Sequence, residues 1–137
     1  MREVYKKALE LAFMAHKDQR RRSSDEIYFM HPLRVAAQIG LYGDKELKAA
    51  AILHDVLEDT PITENDLRAI FPKRVVDLVV LLTHKKDEPY EAYIRRVKTD
   101  QDATKIKIAD IHDNLNSNPT EKQLKKYAVA LGILEAE

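Results

Sequence analysis

Apolar residues recur at helical spacing along most of the chain. In the first segment Val4, Ala8, Leu11, Ala12 and Ala15 follow this spacing, with lysines and glutamates between them. Such a pattern places apolar side chains on one face of an α-helix and charged ones on the other. Similar patterns predict helices over 31–39, 45–58, 74–82, 89–98 and 101–115, a short one after Thr63, and a last one from Pro119 to about Gly132.

Capping and helix-breaking residues mark several boundaries. Ser23-Ser24-Asp25 indicates a loop, and the glycine-containing stretch 41–44 indicates a short turn. Asp44 is a suitable N-cap for the third helix, and Pro61 ends that helix. The valine-rich run at 74–82 would also suit a buried strand, but helical neighbours and the lack of a partner strand favour a helix. The sequence therefore predicts one all-α domain over residues 1–137, with seven or eight helices.

Composition narrows the possible functions. A chain of 137 residues is typical of a single domain. The absence of cysteine excludes disulfides and thiolate metal sites, and the three glycines form no phosphate-binding glycine loop. No apolar run approaches the roughly 20 residues of a transmembrane helix, and the charged first residues lack a signal-peptide core. We therefore expect a cytoplasmic protein without a membrane partner.

Charge is balanced overall but unevenly distributed. Twenty-three basic and 23 acidic residues give a net charge of +0, which argues against nucleic acid as a partner. Residues 1–22 contain seven basic and three acidic side chains, whereas residues 54–67 contain five acidic and no basic ones. Such clusters would suit an anionic ligand beside a bound cation, although ordinary solvated faces explain the same distribution.

The most informative stretch is His-Asp-Val-Leu-Glu-Asp at 54–59, at the end of the most apolar predicted helix. Burying ionisable groups costs several kcal/mol unless they are paired or bind a metal. A separation of four residues places His54 with Glu58, and Asp55 with Asp59, on shared helix faces. Imidazole and carboxylate groups together are suitable ligands for a divalent cation.

Two more polar residues interrupt apolar helices. His31 begins the second predicted helix, and Asp110 lies within the apolar stretch 106–111. Either residue alone is more often structural, but together with the cluster at 54–59 they favour a metal site. The order of His31, the pair His54-Asp55 and then Asp110 resembles the metal-ligand pattern of HD-domain phosphohydrolases. The segments HKDQRRRSSDEIYFMHP, AAILHDVLEDT and KIKIADIHDNL are similar to the hydrolase domain of the RelA/SpoT family and to the small stand-alone alarmone hydrolases.

This resemblance implies a fold, an activity and a set of residue roles. The fold would be the helical HD-domain bundle, and the activity would be metal-dependent removal of the 3′-pyrophosphate from the nucleotides (p)ppGpp, usually with Mn²⁺. The implied metal ligands are His31, His54, Asp55 and Asp110; the implied catalytic residues are Glu58 and Asp59; the implied substrate contacts are Arg21, Arg22 and Asn114.

The residue types suit that chemistry. Two imidazoles and two carboxylates leave coordination positions open for water and a phosphate oxygen. One residue of the pair Glu58 and Asp59 would deprotonate the attacking water and the other would orient it; the sequence leaves the assignment open. Arginine can donate two hydrogen bonds to a phosphate and can stack on a purine, as the resemblance implies for Arg21 and Arg22.

Four departures from the family pattern keep other functions open. Asp18, Ile27, Ile111 and Asp113 stand where relatives usually carry glycine, proline, a basic residue, and histidine or tyrosine, and we expect all four near the nucleotide pocket. One alternative, which Ile111 and Asp113 keep open, is an HD phosphohydrolase acting on another nucleotide or phosphoester. A second is a non-catalytic nucleotide-binding module, although such a module would not need Glu58 and Asp59. The sequence predicts no oligomeric state.

Overall fold

The computed structural model describes residues 2–22, 24–40 and 44–137, and these ranges contain nine helices. The predicted all-α class is confirmed; Arg20 and Ile27 form an isolated antiparallel β-bridge. The predicted turn at 41–43 and Ser23 of the predicted loop lie outside the described residues. The helices are α1 (Arg2–His16), α2 (Met30–Gly40), α3 (Lys45–Leu53), α4 (Val56–Asp59), α5 (Glu64–Ile70), α6 (Lys73–Leu82), α7 (Tyr90–Lys98), α8 (Gln101–Leu115) and α9 (Glu121–Glu135).

Side-chain caps begin several of these helices. The Asp44 carboxylate accepts hydrogen bonds from the first backbone N–H groups of α3, as predicted. Thr63 and Thr120 form capping boxes at the starts of α5 and α9, which satisfy N–H groups that have no partner within the helix. The last helix differs from its prediction, because it begins at Glu121 and continues through Gly132 to Glu135. The buried Leu134 explains this extension, since it places one more turn of α9 against the core.

The predicted third helix is divided in two at the His54-Asp55 pair. α3 ends at Leu53, where the His54 N–H turns back to the carbonyl of Ala51, and α4 begins at Val56. Asp55 has φ −101° and ψ 0°, in the region between helix and strand where many active-site residues lie. The prediction of one continuous helix over 45–58 was wrong, because the apolar pattern runs on through a break that local hydrogen bonding creates.

α3 is the central helix of the bundle. It packs against α1, α2 and α6, and its residues from Ala49 to Leu53 are all fully buried. α2 also packs against α8, while α9 packs against α7 and α8. The polar ends of α2, α3–α4 and α8 therefore meet at one place. Among the described helices, none has both the length and the apolar character needed to cross a bilayer.

Shortening a side chain in α3 tests this central position. Ile52 is fully buried, so Ile52→Ala removes packed atoms and leaves a cavity. We expect the free energy of unfolding to fall by about 2–5 kcal/mol, measured by urea denaturation followed by circular dichroism. The same substitution at Ile70, which is 47% exposed, is the matched control, with an expected change of about 0.5 kcal/mol or less. Equal losses in both variants would contradict the central packing of α3.

Candidate active site

Four ionisable side chains from three parts of the chain meet at the junction of α2, α3–α4 and α8. His31, His54, Asp55 and Asp110 each offer one ligand atom, and these atoms all lie within 4.8 Å of one another. His31 Nε2 lies 2.8 Å from Asp110 Oδ1, and His54 Nε2 lies 3.2 Å from the same oxygen. The structure thus brings together the four side chains that the sequence indicated as metal ligands.

The second ring nitrogen of each histidine, Nδ1, lies within hydrogen-bond distance of an acceptor. His31 Nδ1 lies 2.7 Å from Asp113 Oδ2, and His54 Nδ1 lies 2.7 Å from the carbonyl oxygen of Ala51. An ionised carboxylate and a carbonyl can only accept, so both Nδ1 atoms carry the hydrogen and donate it. In the neutral rings the lone pairs are then on Nε2, facing carboxylate oxygens. A cation between these atoms would remove the repulsion between lone pairs, and the mixed N/O set suits a divalent metal.

Electrostatics keeps the two carboxylates of the cluster ionised. Burial opposes the ionisation of Asp110, but the Lys107 ammonium, 2.8 Å from its Oδ2 atom, and the His54 imidazole hold its pKa well below the usual range. Burial also opposes the ionisation of Asp55, and His54 again lowers the pKa of that carboxyl. Burial disfavours the charged imidazoles, yet the neighbouring carboxylates raise the pKa of both His31 and His54. The cluster therefore attracts positive charge.

Asp113, itself buried, connects the cluster to a partly exposed ionic network formed with Arg34 and Glu26. Arg34 Nε donates to Asp113 Oδ1 at 2.6 Å, and the two terminal nitrogens of Arg34 donate to Glu26. Burial opposes the ionisation of Asp113, but its hydrogen bonds with His31 and Arg34 lower the pKa of the carboxyl to about 2. Asp113 therefore stays ionised and fixes the orientation of the His31 ring.

The structure places two of the four departures from the family pattern. Asp113 contacts His31 and lines a neighbouring cavity with Arg34 and Glu26, and Ile111 is fully buried in the core. Neither residue lines the larger cavity described below. Asp113 lies three residues after Asp110 on α8, and the packing of α8 against α2 turns it towards His31.

The acidic pair lies beside the cluster. Glu58 and Asp59 line the same cavity of about 170 Å³ as three of the four clustered side chains, His31, Asp55 and Asp110. The backbone N–H of His84 donates to Glu58 Oε1 at 2.9 Å, which ties this carboxylate to the loop before α7. Partial burial and the charges of Asp55 and Glu58 raise the pKa of Asp59 to about 6. A carboxyl with this pKa can exchange a proton near neutral pH.

A larger cavity, about 730 Å³ in volume, adjoins the first. Its lining includes the three substrate-contact residues that the resemblance implied. Arg21 donates to Asn114 Oδ1 at 3.2 Å, and its guanidinium lies 5.7 Å from the centre of the Tyr28 ring. The two cavities share part of their lining, so a ligand in the larger one can reach the cluster. The implied contacts are Arg21, Arg22 and Asn114; the shared residues are Tyr28, Asp59, Asn114 and Tyr127.

Two residues of the site escaped the sequence analysis. Tyr28 donates its hydroxyl hydrogen to Asp55 Oδ2 at 2.6 Å, and nothing in the sequence distinguishes this tyrosine from a packing residue. Lys107 lies in the same apolar stretch as Asp110 and only three residues before it. Lys107, like Asp110, is a charge where the helix needs an apolar residue, so the sequence already distinguishes it.

Comparison with known proteins gives the family. Residues 8–123 match the family described as HD domain, and this range contains every predicted site residue. The chain belongs to the HD domain family. The predicted resemblance is therefore confirmed at the level of the family, and a divalent metal agrees with both the family and the histidine–aspartate cluster.

Relatives within the HD domain family carry more specific names. The chain is 35% identical to a "Probable guanosine-3′,5′-bis(diphosphate) 3′-pyrophosphohydrolase" of Mycoplasma pneumoniae, over 81% of this chain and 18% of that protein. It is 31% identical to a "Guanosine-3′,5′-bis(diphosphate) 3′-pyrophosphohydrolase" of Aquifex aeolicus, over 97% of this chain and 20% of that protein. The chain thus spans about a fifth of the length of these curated relatives.

A solved structure resembles the whole fold. It is a metazoan ortholog of SpoT, described as hydrolysing ppGpp, with a TM-score of 0.80 and 26% sequence identity. The match covers 96% of this chain and 83% of that one. The helical arrangement is therefore that of a known HD-domain hydrolase.

The contact between Asp113 and His31 leads to a prediction about metal affinity. Asp113→Asn keeps the shape of the side chain but removes the negative charge that makes the His31 ring a stronger ligand. We expect the affinity for a divalent metal to fall by about 10- to 100-fold, measured by calorimetric titration of the metal-free protein with Mn²⁺.

Two further variants calibrate this measurement. Asp55→Ala removes a carboxylate of the cluster and should abolish binding, and with it the metal-induced rise in Tm. Asp77→Asn removes a carboxylate that pairs with Lys73 and Arg68 on the surface, and should bind the metal as the wild type does. Wild-type affinity in Asp113→Asn would show that the contact does not influence the metal site.

Proposed function

We propose that this chain is a metal-dependent guanosine-3′,5′-bis(diphosphate) 3′-pyrophosphohydrolase, which removes the 3′-pyrophosphate from (p)ppGpp. The main support is the position of the histidine–aspartate cluster, in a small polar cavity that opens into a nucleotide-sized one lined by arginine. The names of the relatives, and the activity described for the metazoan ortholog of SpoT, support the same substrate.

In this proposal His31, His54, Asp55 and Asp110 hold the metal, and Mn²⁺ is the proposed ion. When bound, a divalent metal polarises a phosphate oxygen and lowers the pKa of its water. The protein supplies the charge balance, because two ionised carboxylates offset a divalent cation. Hydrogen bonds from Tyr28 to Asp55 and from Lys107 to Asp110 hold both carboxylates in place.

The proposed proton transfers belong to Glu58 and Asp59. Both are outside the cluster and line its cavity, which is the position that a general base needs. Gln19 Nε2 donates to the Asp59 backbone carbonyl at 2.9 Å, and the His84 N–H holds Glu58 from the other side. The raised pKa of Asp59 suits a group that takes up and returns a proton within each turnover.

The proposed nucleotide contacts are Arg21, Arg22 and Asn114, which line the larger cavity. An alarmone carries phosphates at both its 5′ and 3′ ends, so it can reach from these residues to the cluster. The guanidinium of Arg21 is partly exposed beside the Tyr28 ring, where a phosphate or the face of a base can meet it. Ile111 and Asp113, the departures that favoured another nucleotide, do not line this cavity, so they offer no structural reason to prefer that alternative.

Substitution of Glu58 separates binding from chemistry. Glu58→Gln keeps the size of the side chain but removes the basic oxygen, so we expect kcat for ppGpp hydrolysis to fall by roughly 100-fold or more. Metal content by elemental analysis, and KM, should stay near the wild-type values. Glu91→Gln, on the surface of α7, is the control that should keep full activity. Loss of the metal from Glu58→Gln would place Glu58 among the metal ligands instead.

Substitution of the arginine pair tests the nucleotide contacts. Arg21→Ala combined with Arg22→Ala should raise KM for ppGpp strongly, with less effect on para-nitrophenyl phosphate, because remote contacts serve only substrates long enough to reach them. Asn114→Ala should also slow ppGpp turnover. Lys17→Ala, at an exposed site outside both cavities, is the control. A wild-type enzyme that hydrolyses nucleoside monophosphates but leaves ppGpp intact with Mn²⁺ would instead support a more general HD phosphohydrolase.

A further inference from the structure

Part of the smaller cavity lies outside the region that it shares with the larger one, and its lining there is cationic and aromatic. Besides three residues of the cluster and Glu58, this part is lined by His84 from the loop before α7, by Tyr90 and Tyr93 from α7, by Lys107 from α8 and by Lys126 from α9. The side chains of these five residues have no role in the proposed metal binding, proton transfer or nucleoside contacts, except that Lys107 holds Asp110; His84 holds Glu58 only through its backbone N–H. The lining therefore offers a place for a negatively charged group beside the cluster.

Lys126 brings a positive charge that no carboxylate in the described parts of the chain neutralises through an ion pair. Its Nζ atom lies 4.3 Å from the centre of the Tyr90 ring and 5.6 Å from that of Tyr127. Partial burial and the nearby Lys107 ammonium lower the pKa of Lys126. The preceding lysine, Lys125, faces solvent and pairs with Glu121. Lys126 is thus held over aromatic rings near another ammonium, an arrangement that an anion would stabilise.

Two further donors border the same space. Lys107 uses one contact for Asp110 Oδ2 and has three N–H donors in all, so it can bond a second acceptor. The Tyr90 hydroxyl is buried, and among the described residues it has no hydrogen-bond partner. Buried polar groups are rarely left without a partner unless a water or ligand supplies one. Lys107, Lys126 and Tyr90 together offer donors and positive charge to one acceptor group.

We propose that Lys126, Lys107 and Tyr90 form a subsite for the distal phosphate of a diphosphate group whose proximal phosphate lies at the cluster. The inference rests on the proposed function and makes it more specific, because it gives the residues that distinguish a diphosphate ester from a phosphate monoester. In the reaction the oxygen of water bonds to the proximal phosphorus, the bond from that phosphorus to the ribose 3′ oxygen breaks, and this oxygen takes up a proton. Inorganic pyrophosphate leaves with its distal phosphate in the subsite.

The sizes of the two cavities agree with a nucleoside in the larger cavity and its 3′ phosphates in the smaller one. The smaller cavity, about 170 Å³, is below the roughly 300–1,000 Å³ of pockets that hold whole ligands, whereas the larger one, about 730 Å³, is within that range. The nucleoside therefore fits the larger cavity, and only its 3′ phosphates enter the smaller one. Lys126 lines the smaller cavity and not the larger one, so it would meet the phosphate farthest from the ribose.

The experiment compares two substrates that differ by one phosphate: ppGpp, and the same nucleotide with a 3′-monophosphate. Lys126→Gln should lower kcat/KM for ppGpp by about 10- to 100-fold, the usual effect of losing a charge-assisted hydrogen bond. The same variant should leave kcat/KM for the 3′-monophosphate nearly unchanged. Lys126→Arg should restore part of the lost activity, because it restores the charge. Lys125→Gln, one residue earlier and exposed, is the matched control for both substrates.

A binding measurement tests the subsite without catalysis. Methylenediphosphonate carries two linked phosphonates and cannot be hydrolysed at the P–C–P bridge; methylphosphonate carries one. At a fixed free Mn²⁺ concentration, Lys126→Gln should bind methylenediphosphonate about 10- to 100-fold more weakly than the wild type, with methylphosphonate little affected. Equal affinity of wild type and Lys126→Gln for methylenediphosphonate would overturn the subsite, even if ppGpp is hydrolysed. Failure of the wild type to hydrolyse ppGpp would overturn the proposed function instead, and the diphosphonate titration would still decide the subsite.

Discussion

The structure depends on the burial of four ionisable side chains where α2, α3–α4 and α8 converge. His31, His54 and Asp110 are almost completely enclosed, and such groups are costly to remove from water unless their charges and hydrogen bonds are matched. Neighbouring side chains supply these hydrogen bonds and opposite charges. Tyr28 and Lys107 donate to the carboxylates, and Asp113 accepts from the His31 imidazole. The apolar residues of α3 provide the rigid support on which this polar group is assembled.

Charged residues that are clustered in the sequence line the two cavities. The basic end of the first segment supplies Arg21 and Arg22 to the larger cavity, and the acidic stretch after α3 supplies Asp55, Glu58 and Asp59 to the smaller one. A neutral chain thereby presents a cationic surface and an anionic cluster a short distance apart. This is the arrangement that an anionic ligand beside a cation requires, and Lys6, Lys7, Lys17, Glu64 and Asp66 of the same two stretches lie outside both cavities.

The sequence predicted the helices well because most of them expose one face and bury the other. Even the valine-rich run of α6 was assigned correctly, since a strand there would have had no partner. The division at His54 and Asp55 escaped prediction because the apolar residues Val56 and Leu57 continue the periodic pattern across it. The contact of Asp113 with His31 depends on how α2 packs against α8, and residue spacing within α8 alone leaves that choice open. The candidate ligand set followed from residue types and from the family resemblance. Among its supporting donors, Tyr28 required the tertiary structure, whereas Lys107 is a charge in an apolar stretch that the sequence already shows.

The network from Glu26 through Arg34 and Asp113 to His31 has a thermodynamic consequence. Glu26 lies in the connection between α1 and α2, and its backbone carbonyl accepts a hydrogen bond from the backbone N–H of Arg21 at 2.9 Å. The same short connection thus anchors His31 of the histidine–aspartate cluster, through Arg34 and Asp113, and carries an arginine that lines the larger cavity. The hydrogen bonds of Glu26 therefore join the two positions. By linkage, a cation that tightens nucleotide binding must itself be bound more tightly, by the same factor, once the nucleotide is present.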